Sequence, residues 1–274
     1  MLEIEDVSYC YKAGQYVVNN VSLKVADGEF VAVAGRNGSG KTTLTRLVMG
    51  LMKPAAGRIV IDGRDTAGYP TAAIARQVGY VFQNPDRQIF RDTVAEEVAY
   101  GPEQLGLGAE AVRAAVAEAM AATGLADLAA FYPRSLSKGQ RQRLAIASAL
   151  ALNPRLLILD EPTSGQDARA KAQIMALLEA LNAKGTAIIL VTHDMELLAR
   201  HTRRAIVMAA GRVVYDGGVR ELFADGADVD GWGLRAPAAA RVARGLRPFG
   251  VTVAALVPEE LNDAVCAAGR KAYA

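Results

Sequence analysis

The segment that most constrains this chain is glycine-rich: it runs Gly35-Arg-Asn-Gly-Ser-Gly-Lys41-Thr42 and matches the pattern G-x-x-x-x-G-K-[ST]. The apolar run FVAVAG before it predicts a β-strand, and the spacing of Leu44, Leu47 and Val48 after it predicts a helix. A loop in this position points successive backbone N–H groups at one anion, and the helix adds its positive end. The segment therefore predicts a phosphate site where a strand meets a helix.

The side chains of this segment divide the binding of a nucleotide between them. Lys41 is expected to lie along the β- and γ-phosphates, and the Thr42 hydroxyl is expected to be a magnesium ligand. The residues expected to hold the nucleotide here are Gly35, Asn37, Gly38, Ser39, Gly40, Lys41, Thr42 and Thr43.

The order of the predicted elements indicates an α/β fold. Residues 2–34 are rich in β-branched and aromatic residues and predict three strands. Between about Val94 and Leu152 the chain is Ala-rich, has a helical period and contains no strand signal. After that, the strands LLILD, AIILVT and RAIVMAAG alternate with helical segments, as in a parallel sheet covered by helices.

We therefore expect an α/β domain with a β-rich N-terminal part, a parallel sheet and an all-helical insertion at about 84–154. This domain would occupy residues 1–224. A short C-terminal helical extension would occupy residues 225–274, after a Gly- and Asp-rich linker.

Composition excludes several other classes of protein. The 31 Lys and Arg residues nearly balance the 29 Asp and Glu residues, so the net charge of +2 gives no basic field for nucleic acid. No apolar run approaches the ~18 residues of a membrane span, and the acidic start MLEIEDV is not typical of a secretory signal. Two unpatterned cysteines favour a reducing compartment, so a cytosolic protein is expected.

A second candidate site follows the apolar strand at Leu156–Leu159, which ends in Asp160 and Glu161. Asp160 is expected to hold magnesium, and Glu161 to orient the attacking water or accept its proton. Two adjacent acids at a strand end are common, but their pairing with the phosphate loop makes them specific.

His193 directly follows the strand AIILVT. A polar residue at the carboxyl end of a parallel strand is where α/β proteins bind ligands. The alternative is a histidine that only satisfies local hydrogen bonds.

Five motifs occur in order: the phosphate loop, Gln83, LSKGQ at 136–140, LLILDEPTSGQD at 156–167, and His193. This set resembles the nucleotide-binding subunit of ABC transporters over roughly residues 2–222. The resemblance implies an α/β P-loop NTPase (RecA-like) core with an N-terminal antiparallel β-subdomain and an inserted all-helical subdomain, so that residues 1–224 would be an ATPase domain. It also implies binding of ATP and Mg²⁺, hydrolysis of ATP, and a head-to-tail dimer that closes on the nucleotide.

The same resemblance implies a role for each remaining motif residue. Gln83 would reach magnesium and water, and His193 would contact the γ-phosphate. Tyr11 would stack on adenine, although Tyr9 and Tyr16 compete with it, and an aromatic packed in the core is the alternative. The residues that would face the nucleotide of a second subunit, or cross to it, are Ser137, Gly139, Gln140 and Asp167.

The signature segment departs from the family at two positions. Lys138 replaces the first glycine of the usual LSGGQ, and Gln166 stands where the family often has an apolar residue. Neither change removes an expected phosphate contact. Lys138 is expected to point to water, the alternative being an added cation near the γ-phosphate.

The stretch Gln83–Phe90, the following TVAEEVAYGPEQLGL and the tail segments LRAPAAARVARGL and VPEEL resemble the energy-coupling-factor (ECF) branch, which serves vitamin or cobalt and nickel uptake. This implies a peripheral protein on the cytoplasmic face of the cell membrane. Its partners would be a second ATPase subunit, identical or related, with a transmembrane coupling subunit and a substrate-binding membrane subunit. No nucleic acid partner is expected.

Within that stretch, Asn84–Phe90 is expected to grip a cytoplasmic helix of the transmembrane subunit. Ile89 and Phe90 would form an apolar floor, and Asp86 and Arg87 a charged rim. The alternative is that the apolar pair packs inward. Other readings of the whole chain are the ATPase of a different ABC importer, a soluble ABC clamp on ribosomes or DNA, and an ATP-binding regulator without turnover.

Overall fold

The computed structural model describes residues 1–224 and 227–272. They form two sheets, a helical insert and a C-terminal helical segment, and the α/β fold class expected from the sequence is confirmed. Residue 225, where the C-terminal extension was predicted to start, and residue 226 of the Gly-rich linker lie outside the described residues. The last two residues of the chain, 273 and 274, lie outside them as well.

The smaller sheet is antiparallel and has the order β2-β1-β4-β5. Its strands are β1 (Leu2–Lys12), β2 (Gln15–Val25), β4 (Ala56–Ile61) and β5 (Arg64–Asp65). Leu2 pairs with Val25 on one side and Ile61 on the other, and all three side chains are buried. Because alternate residues face the core, this sheet covers the larger one with its apolar face.

The larger sheet has the order β10-β9-β3-β8-β7-β6, and only the hairpin β9–β10 is antiparallel. Its strands are β3 (Phe30–Ala34), β6 (Val78–Val81), β7 (Leu156–Asp160), β8 (Ala187–Val191), β9 (Arg204–Ala209) and β10 (Arg212–Gly218). Every residue of β6, β7 and β8 is buried, as expected for parallel strands covered on both faces.

Helices cover this sheet and connect its strands. They are α1 (Lys41–Val48), α2 (Thr71–Ile74), α6 (Ala168–Ala183), α7 (Met195–His201) and α8 (Val219–Leu222). In the described residues no helix is both long enough and apolar enough to cross a bilayer.

The helical insert lies between β6 and β7 and has a small core of its own. Its helices are α3 (Val94–Gln104), α4 (Ala109–Thr123) and α5 (Lys138–Leu150). Thr93 begins α3 and Ser137 begins α5, each with a reciprocal capping box that satisfies backbone N–H groups at the helix start. The insert therefore presents the start of α5 in a fixed geometry.

The C-terminal segment contains α9 (Ala238–Leu246) and α10 (Pro258–Ala272). It shares a core with the ATPase sheet, because Leu234 and Ala240 are buried in one cluster with Ala32 and Ala34 of β3. The backbone N–H of Ala238 also donates to the Glu196 carboxylate of α7 at 2.5 Å. The segment is thus packed directly behind the strand that carries the phosphate loop.

A single glycine fixes the contact between this segment and the phosphate loop. Gly233 has a φ of +70°, and a Cβ atom there would lie 1.9 Å from Cδ of Arg36. We expect Gly233→Ala to lower the free energy of unfolding by about 1–2 kcal/mol, because the left-handed backbone is strained with a side chain and Arg36 must move.

Gly245→Ala is the matched control, since no atom lies within 4 Å of the added Cβ on α9. It should be neutral or stabilising by about 0.5–1 kcal/mol, as for glycine in a helix. Urea unfolding measures both variants. Equal effects of the two substitutions would contradict the assigned contact.

Candidate functional site

The predicted site residues follow four neighbouring parallel strands at the edge where those strands end. The phosphate loop follows β3, Gln83 follows β6, Asp160 ends β7, and His193 follows β8. Since the carboxyl ends of parallel strands lie at one edge of the sheet, segments as far apart in the chain as Gly35 and His193 are brought to the same edge.

Lys41 is the buried cation of the site. Its ammonium donates to the carbonyl oxygens of Gly35 at 2.8 Å and Arg36 at 2.9 Å, across the phosphate loop. Burial lowers the pKa of Lys41, while the carboxylates of Glu161 and Asp160 oppose this shift. Gly35 has no room for a side chain, because a Cβ would lie 2.3 Å from the carbonyl oxygen of Met208.

Asp160 is held by two hydroxyl groups. Thr42 Oγ1 donates to its Oδ2 at 2.8 Å, and the Tyr80 hydroxyl donates to the same oxygen at 3.4 Å. Burial raises the pKa of Asp160, an effect that the hydrogen bond from Thr42 opposes. Burial also raises the pKa of Tyr80 to about 12, so this phenol stays a donor. Tyr80 was missed from the sequence, where it is one aromatic residue of a strand.

These donors fit magnesium. Thr42 and Asp160 offer a hydroxyl and a carboxylate oxygen next to each other, the hard ligands that Mg²⁺ prefers. In residues 1–224 and 227–272 no group of three or more His, Cys, Asp or Glu residues is arranged to hold a metal. An ion bound here would therefore complete its shell with phosphate oxygens and water, as Mg²⁺ does in phosphoryl-transfer sites.

Glu161 lies between two polar side chains. Gln83 Nε2 donates to its Oε2 at 3.0 Å, and His193 Nδ1 lies 3.0 Å from its Oε1. In the tautomer with a proton on Nδ1, His193 donates to this carboxylate oxygen. Glu161 has a φ of +48°, in the left-handed region, which turns its side chain away from that of the adjacent Asp160. Asp160 and Glu161 thus have different hydrogen-bond partners.

A cleft of 490 Å³ opens in front of these groups. Its lining comprises Tyr11, Val17, Asn37, Gly38, Gly40, Lys41, Thr42, Thr43, Gln83 and Glu161. Tyr11 is half exposed and its hydroxyl lies 3.2 Å from Thr43 Oγ1, while Tyr9 packs edge-on against it and Tyr16 does not line the cleft. Val17 was missed, because an apolar strand residue carries no chemical signal.

The signature residues do not line this cleft. Ser137 and Gln140 bond each other in the capping box of α5, with the Ser137 N–H donating to Gln140 Oε1 at 2.8 Å. Asp167 begins α6, where its carboxylate accepts from the N–H of Ala170 at 2.7 Å. The structure thus brings Gln83 and Glu161 to the cleft of the phosphate loop, where His193 reaches the site through its contact with Glu161. It leaves Ser137, Gly139, Gln140 and Asp167 outside the cleft lining.

The expectation that Lys138 points to water is wrong. Its ammonium lies at the surface, but it donates to the carbonyl oxygens of Ser164 at 3.0 Å and Gly165 at 3.3 Å. The tertiary structure explains this difference, because the loop after β7 passes beside the start of α5 and offers its carbonyl oxygens to Lys138.

Lys171 on α6 is a second residue that the sequence did not reveal. Its ammonium forms an ion pair of 2.7 Å with Asp194, which directly follows His193 and begins α7. The pair therefore joins the helix that starts at Asp167 to the segment carrying His193.

The two apolar side chains of the segment 84–90, Ile89 and Phe90, point in different directions. Ile89 is 5% exposed and belongs to the core of the insert, so the expected exposure of both side chains is wrong for Ile89. Phe90 is 60% exposed and packs edge-on against Tyr100. The buried carboxylate of Glu97 accepts from the N–H groups of Phe90 and Arg91, each at 2.9 Å, which fixes this division.

Comparison with known families gives one match, to the family described as ABC transporter, over residues 18–164. An ABC transporter ATP-binding relative from Methanosarcina acetivorans is 43% identical over 93% of this chain, but the chain spans only 41% of that longer protein. The energy-coupling factor transporter ATP-binding protein EcfA1 of Symbiobacterium thermophilum is 41% identical, with 96% of this chain and 95% of the relative covered.

Two solved structures share the fold. CbiO1 of Clostridium perfringens, part of the ABC transporter complex cbiONQ, has a TM-score of 0.77 and 33% identity, covering 89% of this chain and 98% of its own. A dimeric ATP-binding cassette in a post-hydrolysis state with ADP and Pi has a TM-score of 0.73 and 32% identity, covering 80% of this chain and 99% of its own.

The ion pair of Lys171 gives a pH-dependent prediction. Burial would raise the pKa of Asp194, but hydrogen bonds from Lys171 and the Leu197 N–H outweigh it and the pKa is lowered. The pair thus stabilises the fold above the ordinary carboxyl pKa, and this contribution is lost as the pH falls through the lowered value.

Lys171→Met should therefore raise the Asp194 pKa, as measured by carboxyl-carbon NMR titration, and cost about 0.5–1 kcal/mol at pH 7, a modest value because both side chains are partly exposed. Lys184→Met, at the exposed end of α6, is the control. An unchanged Asp194 titration in the Lys171 variant would show that the pair is not formed in solution.

Proposed function

Because the chain belongs to the ABC transporter family, we propose that it binds and hydrolyses ATP to energise uptake of a micronutrient, a vitamin or cobalt or nickel, through a separate membrane complex of the ECF type. The observation that carries the ATPase assignment is the Glu161 carboxylate, held between Gln83 and His193 beside the cleft of Lys41 and Thr42.

The proposed binding step uses the phosphate loop together with Asp160, Gln83 and Tyr11. Lys41 contacts the β- and γ-phosphates, and the backbone N–H groups of the loop bind the same oxygens. Thr42, Asp160 and Gln83 hold Mg²⁺, which when bound neutralises charge on the phosphates. Tyr11 lies at the mouth of the cleft, where its exposed ring can stack on adenine.

The proposed chemical step is attack of water on the γ-phosphate with Glu161 as general base. Both carboxylate oxygens of Glu161 are engaged, one with Gln83 and one with His193. Each carboxylate oxygen can still accept a second hydrogen bond, so Glu161 can orient water while Gln83 and His193 hold its side chain in place. The His193 side chain is 54% exposed, so its ring has room to turn toward the γ-phosphate once its contact with Glu161 opens.

The proposed active form is a head-to-tail dimer. Ser137, Gly139, Gln140 and Asp167 lie on a surface apart from the cleft of their own chain, so their expected nucleotide contacts require a second copy or a related subunit. The start of α5 would then add its positive helix end to the partner's γ-phosphate. The dimeric cassette with ADP and Pi supports this arrangement.

Two observations support the ECF branch. The similarity to EcfA1 and to cbiO1 extends over nearly the whole length of those proteins. The ECF-like stretch Gln83–Phe90 connects the site to the insert. On this proposal the chain is a peripheral subunit on the cytoplasmic face of the membrane, with a transmembrane coupling subunit and a substrate-binding membrane subunit as partners.

The proposed contact with the coupling subunit is the surface around Phe90. The Phe90 ring is exposed and braced by Tyr100, and the Arg91 guanidinium lies 4.6 Å from the centre of the Tyr100 ring. Beside it, a cavity of 310 Å³ is lined by Asp86, Ile89, Arg134 and Arg141, with Asp86 and Arg141 paired at 2.8 Å. An apolar projection next to a charged depression suits an amphipathic partner helix.

Glu161→Gln tests the catalytic assignment. The amide keeps the shape of the side chain but cannot accept the proton, so we expect ATP binding to persist and turnover to fall by ~10² to 10⁴. ATP should then hold the protein as a stable dimer, measured by light scattering. Normal hydrolysis by this variant in the presence of the membrane complex would contradict the role of Glu161.

Phe90→Ala and Ile89→Ala test the coupling surface as a matched pair. Phe90→Ala should leave the isolated subunit stable and able to bind ATP, yet abolish transport and co-purification of the membrane subunits. Ile89→Ala should instead cost about 2–5 kcal/mol of stability, since it opens a cavity in the insert. If the Phe90 variant transported normally with its partners attached, the coupling surface would lie elsewhere.

A further inference from the structure

Both departures from the usual family pattern, Lys138 and Gln166, meet at one junction in the folded protein. Lys138 on the first turn of α5 donates to the carbonyl oxygens of Ser164 and Gly165 in the loop after β7. Gln166, from the same loop, lies on the other side, with its Oε1 3.5 Å from the position of a Cβ on Gly139. The two positions thus form one contact between α5 and the segment 164–166.

The loop is shaped to receive the lysine. Gly165 has a φ of +65°, and a Cβ atom there would lie 2.4 Å from the Lys138 ammonium. A side chain at 165 would therefore displace the ammonium as well as strain the backbone. Because an ammonium group has three N–H donors, it can donate to both carbonyl oxygens at once.

The contact continues along the two helices. Gly139 of α5 faces Ala170 of α6, where an added Cβ would lie 3.4 Å from the alanine methyl group. One turn further, Arg143 donates to Gln173 Oε1 at 2.6 Å. Lys138 is therefore the first of a row of contacts that join the insert to the helix beginning at Asp167.

We propose that Lys138 is a positioning residue that holds the loop 164–167 against the start of α5. Ser137, Gly139 and Gln140 on one side and Asp167 on the other then form one rigid surface. This inference rests on the proposed function, in which that surface meets the nucleotide of a second subunit. Lys138 lowers the conformational entropy that the loop 164–167 and the start of α5 lose when the dimer closes, and it does so without contacting the nucleotide.

The direct test is amide hydrogen exchange of the full chain without nucleotide. The N–H of Ser164 donates to Glu161 O at 3.1 Å, and that of Gln166 donates to Thr163 O at 3.2 Å, so both report the order of the loop. Lys138→Met should raise exchange at these amides about fivefold, the effect of one lost net hydrogen bond. Lys138→Arg should stay within about twofold, because a guanidinium can reach both carbonyl oxygens.

Lys184→Met, at the exposed end of α6, is the control and should leave these amides unchanged. A double-mutant cycle adds Gly165→Ala, which should raise exchange less in the Lys138→Met background than in the unsubstituted protein, because only its backbone strain then remains. Additive effects of the two substitutions, or unchanged exchange in Lys138→Met, would overturn the proposal.

A second measurement relates the contact to dimer closure. In the Glu161→Gln background, Lys138→Met should weaken the ATP-driven dimer about fivefold while ATP binding by the single chain is unchanged. A weaker dimer with unchanged amide exchange would instead show that Lys138 acts as a cation on the partner's phosphate. If Glu161→Gln itself formed no ATP-dependent dimer, the proposed function would fail, and the exchange measurement would still decide the role of Lys138.

Discussion

Parallel pairing of β3, β8, β7 and β6 is the constraint on which the rest of the structure depends. Because the four strands run in one direction, the phosphate loop, His193, Asp160 and Gln83 all emerge at the same edge. A shift of one strand by a single residue would turn these side chains to the opposite face. The fully buried strands β7 and β8 fix that register through their packing on both faces.

At this edge, burial sets the electrostatics. It lowers the pKa of Lys41 and raises the pKa of Asp160, so both charged forms depend on their neighbours. Tyr80 and Thr42 satisfy the carboxylate of Asp160, and backbone carbonyls satisfy Lys41. Glu161 is kept apart by its left-handed backbone and bonded to groups from two other strands. The Asp160 carboxylate is thereby placed to bind a cation, and the Glu161 carboxylate to accept a proton.

Two further parts of the chain are fastened to this edge. The insert reaches it through α5, where Lys138 contacts the loop that follows β7. The C-terminal segment reaches it from behind, where Gly233 packs on Arg36 of the phosphate loop and Leu234 is buried with Ala32 of β3. A displacement of either part would therefore change the position of groups at the cleft in front of Lys41.

The sequence by itself determined the features that depend on neighbouring residues: the glycine spacing of the phosphate loop, the capped starts of α3 and α5, the buried strands, and the α/β order. The part of the cleft lining that belongs to the phosphate loop was predictable for the same reason, whereas Tyr11 and Gln83 were expected only from the resemblance to ABC transporters. Only the tertiary structure decided that Ile89 packs inward while Phe90 stays exposed, that Tyr80 supports Asp160, and that Lys138 binds backbone carbonyls. Each of these depends on the position of a segment distant in the chain or on the local direction of a side chain. No spacing in the sequence encodes such contacts, because they arise only when the sheet and the insert have packed.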